Sequence, residues 1–434
     1  MASWHEHVMW WQLYPLGFTG APVRPGGADA AGGVVHRLGR VEAWLDHVIE
    51  LGLNGIALGP IFASQTHGYD TVDHFRIDPR LGDDADFDRL VAAAHRRGLR
   101  VQLDGVFNHV GRAHPLFRQV EAEGPGAAAA GLFRVDWAGW RAGAPVRADV
   151  FEGHEALVAL NHGAAEVADL VVRVMEHWLD RGADAWRLDA AYAVPPAFWA
   201  TVLPRVRERH PGAWFTGEII HGDYAGIVRA SALDSVTQYE LWQGIWHGIA
   251  DRNLFELAHA LKRHNELLAT FVPSTFIGNH DVTRIASAIG ADFVPHALAV
   301  LLTVAGVPSV YAGDEYGWTG VKEQRLGGDD AIRPEFPDRP PPHDGLVRLH
   351  QDLIAVRRRH PWLVRAHTDV VHLQNRQAVL RTATGSGALV TALNLADDPA
   401  TLPAAGAASL ATGNGDLGGT RIHLPPRGWA VLSS

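Results

Sequence analysis

Short apolar runs and longer amphipathic runs take turns along this chain from its start to about residue 361. Residues 8–13 read as a first strand, 55–58 as a second closed by Gly59-Pro60, and 100–103 as a third. Between them, Val41, Trp44, Leu45, Val48 and Ile49 recur at spacings of three and four, which predicts a helix over 40–51; a second is predicted over 86–97. This is βα alternation, and it favours a parallel sheet with helices packed outside it. The pattern breaks over 110–160, a stretch rich in Gly, Ala and Arg that contains the run Gly124 to Gly131. It is too long for a routine connection and reads as an insertion after the third strand, partly irregular.

The alternation then resumes. A helix is expected over 164–180, a strand over 185–188, a helix over 196–209, strands over 214–216 and 235–239, and a helix over 254–268. Strands at 274–277 and 308–311 and a last helix over 343–359 complete eight units. The prediction is an α/β chain folded as a (β/α)8 barrel. After Trp362 the texture changes to short β runs at 370–374, 378–381, 388–393 and 429–432, which predict a small antiparallel β domain. The expected organisation is a barrel from 1–109 and 162–361, an inserted subdomain over 110–161 and a β domain over 362–434.

Composition narrows the function. The chain has 434 residues and a formal net charge of −10, which argues against nucleic acid as a partner and leaves neutral substrates such as sugars open. It has no cysteine, so disulfides and thiolate metal sites are excluded and a reducing compartment fits. The first 13 residues lack a basic segment and a cleavage site, and no run approaches the roughly 20 apolar residues of a membrane span. A cytoplasmic protein without membrane contact is expected; the sequence is silent on oligomeric state. His5-Glu-His7 reads as a solvated terminus rather than a metal site.

Catalytic groups of such barrels sit at the C-terminal ends of the strands. Four polar clusters fall there: Asp104-Gly-Val-Phe-Asn-His109, Ala185-Trp-Arg-Leu-Asp189, Phe215-Thr-Gly-Glu218 and Phe276-Ile-Gly-Asn-His-Asp281. Arg187 and Asp189 are two apart on a strand and so point to one side. A buried Arg beside Asp189 favours its ionised form, which a nucleophile needs. Glu218 has no adjacent cation in the sequence, so burial favours its protonated form, which an acid needs. Asp281 is a third carboxylate, placed to stabilise positive charge. Two carboxylates with opposite environments are what retaining glycoside hydrolysis requires.

Taken in order, the four segments resemble the four conserved regions of the α-amylase family of glycoside hydrolases. Further stretches of 1–320 resemble it too: Gln12-Leu-Tyr-Pro15, Gly59-Pro-Ile-Phe62, His67-Gly-Tyr-Asp-Thr71 with Ile77-Asp-Pro-Arg-Leu-Gly82, Leu157-Val-Ala-Leu-Asn161, and Gly306-Val-Pro-Ser-Val-Tyr311 with Asp314-Glu315. The resemblance implies Asp189 as nucleophile, Glu218 as general acid/base and Asp281 as transition-state stabiliser. It implies that Arg187 orients the nucleophile, that His109 and His280 bind the sugar at the cleavage subsite, and that Tyr69 stacks on it. Asp70 and His221 join the substrate-binding set, and Asp104 and Asn108 either support the site or serve only structure.

Glu218-Ile-Ile-His221 is similar to the Glu-Ile-Trp-His of the cyclomaltodextrinase and neopullulanase branch, with Ile220 in place of Trp. Members of that branch carry an N-terminal β domain, whereas this sequence starts at the first barrel strand. Many true α-amylases have Lys-His where this chain has Tyr192-Ala193, which speaks against long-chain endo action. The implied activity is double-displacement cleavage of α-glucosidic bonds, α-1,4 first, in maltooligosaccharides or related short α-glucans. Transglycosylases and glucosyl isomerases of the same scaffold share all four regions and remain the alternative. No cofactor is expected. Some relatives bind calcium near Asn108 and the insertion, but this insertion has no evident loop of oxygen ligands. After the eighth strand, Asp330 and Arg333 form either a sugar pocket or an ordinary loop ion pair.

Overall fold

A computed structural model describes residues 4–24 and 33–434. Its centre is an eight-stranded parallel sheet: β1 (Trp10–Leu13), β2 (Gly55–Leu58), β3 (Arg100–Gly105), β4 (Ala185–Leu188), β5 (Trp214–Gly217), β6 (Ser235–Val236), β7 (Ser274–Phe276) and β8 (Val307–Tyr311). The spatial order runs β6-β5-β4-β3-β2-β1-β8-β7, and a parallel bridge between Thr237 and Ser274 joins β6 to β7 and closes the barrel. Strands β2, β4, β5 and β8 are buried at every position, because a closed parallel sheet has side chains inside it and helices outside. That double burial is why they read as mostly apolar runs rather than alternating ones, with Arg187 of β4 the charged exception.

Most helices lie where the periodicity places them, including Ala165–Asp180, Pro196–Arg209, Leu254–Leu267 and Gly345–Arg359. Two expectations need correction, and one helix escapes the periodic pattern. The helix predicted over 40–51 is two pieces, Gly39–Glu42 and Leu45–Leu51. They break at Trp44, whose ring stacks on Trp11 at 5.8 Å and whose Nε1–H donates to Pro337 O at 3.0 Å. Burying that indole outweighs one turn of continuous helix. The strand predicted over 235–239 ends at Val236, because Gln238 Oε1 accepts from the N–H groups of Glu240 and Leu241 and starts the helix Tyr239–Ala250. Val294–Thr303 is a helix that periodicity cannot announce: every one of its residues but Pro295 is buried, so it has no polar face.

The 110–161 stretch holds the helix Pro115–Glu123, a two-residue pairing of Val135–Asp136 with Arg147–Ala148, and the strand Leu157–Ala159 paired antiparallel with His109–Gly111. That last pairing returns the insertion to the end of β3. The C-terminal part forms β9 (His367–Gln374), β10 (Gln377–Thr384), β11 (Gly387–Asn394), β12 (Ala400–Pro403), β13 (Ser409–Gly413), β14 (Asp416–Gly418), β15 (Arg421–Leu424) and β16 (Trp429–Ser433). These make an antiparallel sheet β9-β10-β11-β16-β13 and a second sheet β12-β15-β14. Val379, Val390, Leu402, Ile422, Leu424 and Leu432 form a core between them. At the other end of the chain, His5 is not solvated as expected but stacks on Trp214 at 4.1 Å. No helix among the described residues is long and apolar enough to cross a membrane.

Candidate active site

Arg187 is the hub. It sits on β4 opposite Asp104 of β3 and Thr216 of β5, with its side chain on the inner face near the strand ends. Its Nη1 lies 2.7 Å from both carboxylate oxygens of Asp104 and 3.0 Å from Asp189 Oδ1. Its Nη2 lies 2.7 Å from Glu218 Oε1. Each of these four residues is no more than 8% exposed. Ladder bonds fix the two strand-end carboxylates: Asp189 N donates to Gly105 O at 3.0 Å and Glu218 N to Leu188 O at 2.9 Å.

The sequence pairs Arg187 with Asp189 alone, and here the structure corrects it. Glu218 does have a cation, delivered across the β4–β5 pairing rather than along the chain. The guanidinium is shared among three carboxylates, so its charge cannot hold Asp189 at an ordinary value. Burial, opposed by Arg187 and reinforced by Glu218, Asp104 and Asp281, pushes Asp189 well above the usual carboxylate range. Asp189 and Glu218 rest on the two amino groups of this one cation.

Ala190 supplies a further contact. Its φ of 46° and ψ of 36° are left-handed, a costly conformation for a residue with a Cβ, and they turn its N–H onto Glu218 Oε2 at 2.9 Å. On the other edge, Tyr239 Oη is 3.4 Å from Glu218 Oε1 and accepts from Asn279 Nδ2 at 3.0 Å. Burial, with Glu218 and Asp281 nearby, raises the Tyr239 hydroxyl well above its usual range and keeps it a donor.

Asp281 has a different environment. His280 Nε2 is 3.0 Å from its Oδ2, and Arg333 Nη2 is 2.7 Å from its Oδ1. Burial alone would raise Asp281, but His280, Arg333 and Arg187 outweigh it and hold the group well below the usual range. Gln12 Nε2 lies 3.2 Å from His280 Nδ1; with the amide as donor, the imidazole carries its proton on Nε2, toward Asp281. Tyr69 Oη contacts both His280 Nε2 and Asp104 Oδ2, the latter at 3.2 Å. Its ring lies parallel to His280 at 5.6 Å, within 3°.

The structure therefore brings together Tyr69, Asp104, Arg187, Asp189, Glu218, His280, Asp281 and Arg333. Other expected residues lie elsewhere. Asp70 is 2% exposed and bonds Thr66 N at 3.0 Å and Thr66 Oγ1 at 2.6 Å, so it holds its own turn instead of facing a ligand. His109 uses both ring nitrogens within the protein: Nε2 on Tyr69 O at 2.9 Å and Nδ1 on Asn108 Nδ2 at 3.1 Å. Burial lowers it to about 4, so it is a neutral imidazole behind Tyr69. His221 is exposed, with its ring 6.2 Å from Tyr192. Asp330 pairs with Arg24, while Arg333 pairs with Asp329 at 3.3 Å; an i,i+4 offset, not i,i+3, brings carboxylate and guanidinium together in this short helical turn. Gln12, Tyr14, Tyr239 and Asn279 join the site without being named as site residues from the sequence, and Asp329, from the loop of Asp330 and Arg333, joins it through Arg333. Tyr14 faces Arg333, whose Cζ stands 4.7 Å from its ring; Gln12-Leu-Tyr14 at the end of β1 was the signal that could have found it.

Asn108 is 3% exposed, with its amide on His109 Nδ1 at 3.1 Å.

A closed parallel barrel with paired carboxylates at neighbouring strand ends is the architecture of the barrel glycoside hydrolases. The chain belongs to the α-amylase family: the family's catalytic-domain model matches residues 29–338. Neopullulanase 2 of Thermoactinomyces vulgaris is 32% identical over 343 residues, 75% of this chain and 55% of that protein. A cyclomaltodextrinase of a Bacillus species is 30% identical over 385 residues, 82% of this chain and 67% of the relative. The chain thus spans little more than half of the first and two thirds of the second. The cyclic α-maltosyl-(1→6)-maltose hydrolase of Arthrobacter globiformis superposes over 100% of both chains, with a TM-score of 0.83 and 25% identity.

Proposed function

We propose that this chain is a retaining hydrolase of α-glucosidic bonds, α-1,4 first, acting on maltooligosaccharides or related short α-glucans. The observation that carries the reading is the convergence of Asp189 and Glu218 on the two amino groups of Arg187, with Asp281 held ionised beside them by Arg333 and His280. The names of the relatives, which act on cyclomaltodextrins, pullulan and cyclic maltosyl-maltose, support the substrate class.

The roles follow from position: Glu218 is the acid that delivers the proton, and Asp189 attacks as its carboxylate. Asp189 Oδ then bonds to the anomeric carbon as the bond to the leaving oxygen breaks, and the proton passes from Glu218 to that oxygen. In the second half, water attacks the same carbon, its proton goes to Glu218, and Asp189 is released. Asp281 offers negative charge to the oxocarbenium-like transition state in both halves. A sugar hydroxyl replacing water in the second half would make the enzyme a transglycosylase. Scoring free glucose and maltose against longer products from maltotriose separates the two, and release of neither sinks the proposal.

The active form is expected to work in the cytoplasm without a metal. Assay in the presence of a chelator checks the second point: unchanged turnover agrees with it, and loss restored by calcium overturns it.

A further inference from the structure

Outside this site, ligand-bearing side chains cluster at the seam where the first and last helices of the barrel meet. His47 and Glu50 stand three apart on the helix Leu45–Leu51, and His343 lies just before the helix Gly345–Arg359. One ligand atom from each falls within 4.8 Å of the other two. His343 Nε2 is 3.3 Å from Glu50 Oε2, and the two imidazole rings meet edge-on at 5.5 Å.

We propose that His47, Glu50 and His343 form a zinc site. Three observations beyond proximity point to a cation. First, His47 is oriented from behind: its Nε2 lies 3.1 Å from Glu315 Oε1, and Glu315 is wholly buried. Glu315 is itself fixed by Trp11 Nε1–H at 3.2 Å and Gly313 N–H at 2.8 Å. A carboxylate that accepts from Nε2–H leaves Nδ1 as the lone-pair nitrogen of the ring, which is how proteins prepare a metal-binding histidine. Second, Tyr316 stacks on the His47 ring at 5.4 Å and locks its plane; its hydroxyl donates to Pro341 O at 3.1 Å and stands 3.5 Å from His47 Nδ1, too far to occupy that lone pair. Third, His343 Nδ1 is 3.5 Å from the Gln351 amide, while its Nε2 is the nitrogen turned toward Glu50 Oε2.

Two imidazoles and one carboxylate suit zinc, which takes nitrogen and oxygen ligands tetrahedrally and leaves a fourth position for water. Calcium prefers six to eight oxygens and is not served here. A second cluster, His36 with Asp83 and Asp86, is a weaker host. It has one imidazole, and its two carboxylates are engaged as the reciprocal cap of the helix Asp84–Arg96. Zinc at the first cluster would pin the start of the barrel's helical ring to its end.

The test is calorimetric titration of the chelator-stripped full chain with zinc chloride, for the wild type, His343→Ala, Glu50→Gln and His36→Ala. Wild type and His36→Ala should each take up one equivalent with matching affinity, and His343→Ala and Glu50→Gln should each bind at least about tenfold more weakly. Glu50 is 59% exposed at its side chain, so its variant keeps the test valid if the His343 variant folds poorly. Saturating zinc should raise the wild-type Tm by about 2–5 °C and leave the His343→Ala Tm in place. No uptake by the wild type, undiminished binding by both site variants, or loss of binding in His36→Ala would each overturn the assignment.

Discussion

Arg187 Nη2 lies 2.7 Å from Glu218 Oε1, so one guanidinium ties the acid/base candidate to the nucleophile candidate. Replacing either carboxylate should therefore stop chemistry without unfolding the barrel. Glu218→Gln should lower kcat on maltotriose by about 10^2–10^4, the usual worth of a general acid, and Asp189→Ala by at least as much. Arg187→Met should cost stability as well, about 3–5 kcal/mol, because it strands buried carboxylates. Turnover near wild type in either carboxylate variant, with the fold checked by circular dichroism, contradicts the assignment.

Stereochemistry follows from the shared guanidinium. Two carboxyls held on the two amino groups of one Arg are close, as in retaining enzymes, where the gap is about 5–5.5 Å. Proton NMR of fresh maltotriose digests should show the α-anomer first. An initial β-anomer signal points to inversion and to a different catalytic pair.

Asp189 also makes the site costly. Its value is raised on folding, so the native state keeps a proton that the unfolded chain has already lost. That contribution to stability is fully present below the unfolded value of about 3.9 and is lost as pH rises through the native value. Asp189→Asn removes the titration. The variant should gain on the wild type in Tm as pH rises from 4 to 8. A Tm difference that stays flat over that interval would show that Asp189 is not perturbed in this sense.

Arg333 works in the opposite direction on Asp281. Without it, Asp281 loses one of the charges that hold it low. Arg333→Met should shift the acidic limb of the kcat/KM profile to higher pH, since more alkaline conditions are then needed to ionise Asp281. An acidic limb that does not move would assign that limb to another group.

Tyr192 Oη donates to Glu152 Oε1 at 2.8 Å, tying the loop after β4 to the inserted segment beside Glu218. Tyr192 stands at the sequence position where the Lys-His pair of long-chain enzymes is expected. Tyr192→Ala should raise kcat/KM on soluble starch relative to maltotriose, by roughly threefold to tenfold. A ratio unchanged or lower, or a wild type that already prefers starch with internal cleavage, would refute the short-substrate reading.

The sequence alone determined the barrel strands, four of the eight β strands of the last seventy residues and the positions of the three carboxylates. Strands buried on both faces are mostly apolar and stop at polar or Gly-rich ends, so β2, β4 and β5, and the carboxylates beyond β4 and β5, are written in one dimension. Arg187 and Asp189 share a face because strand periodicity is local. Tertiary structure alone decided how the charges are divided. Glu218 receives its cation through the register of β4 against β5, Asp281 receives Arg333 from a loop more than fifty residues downstream, and Asp330 turns instead to Arg24. Asp70, a plausible ligand by motif, is consumed by Thr66, and His109 by Asn108 and the Tyr69 carbonyl. Local periodicity says which side of a strand a group occupies; the partner it meets there, and hence its charge, depends on which distant segment the closed barrel brings alongside.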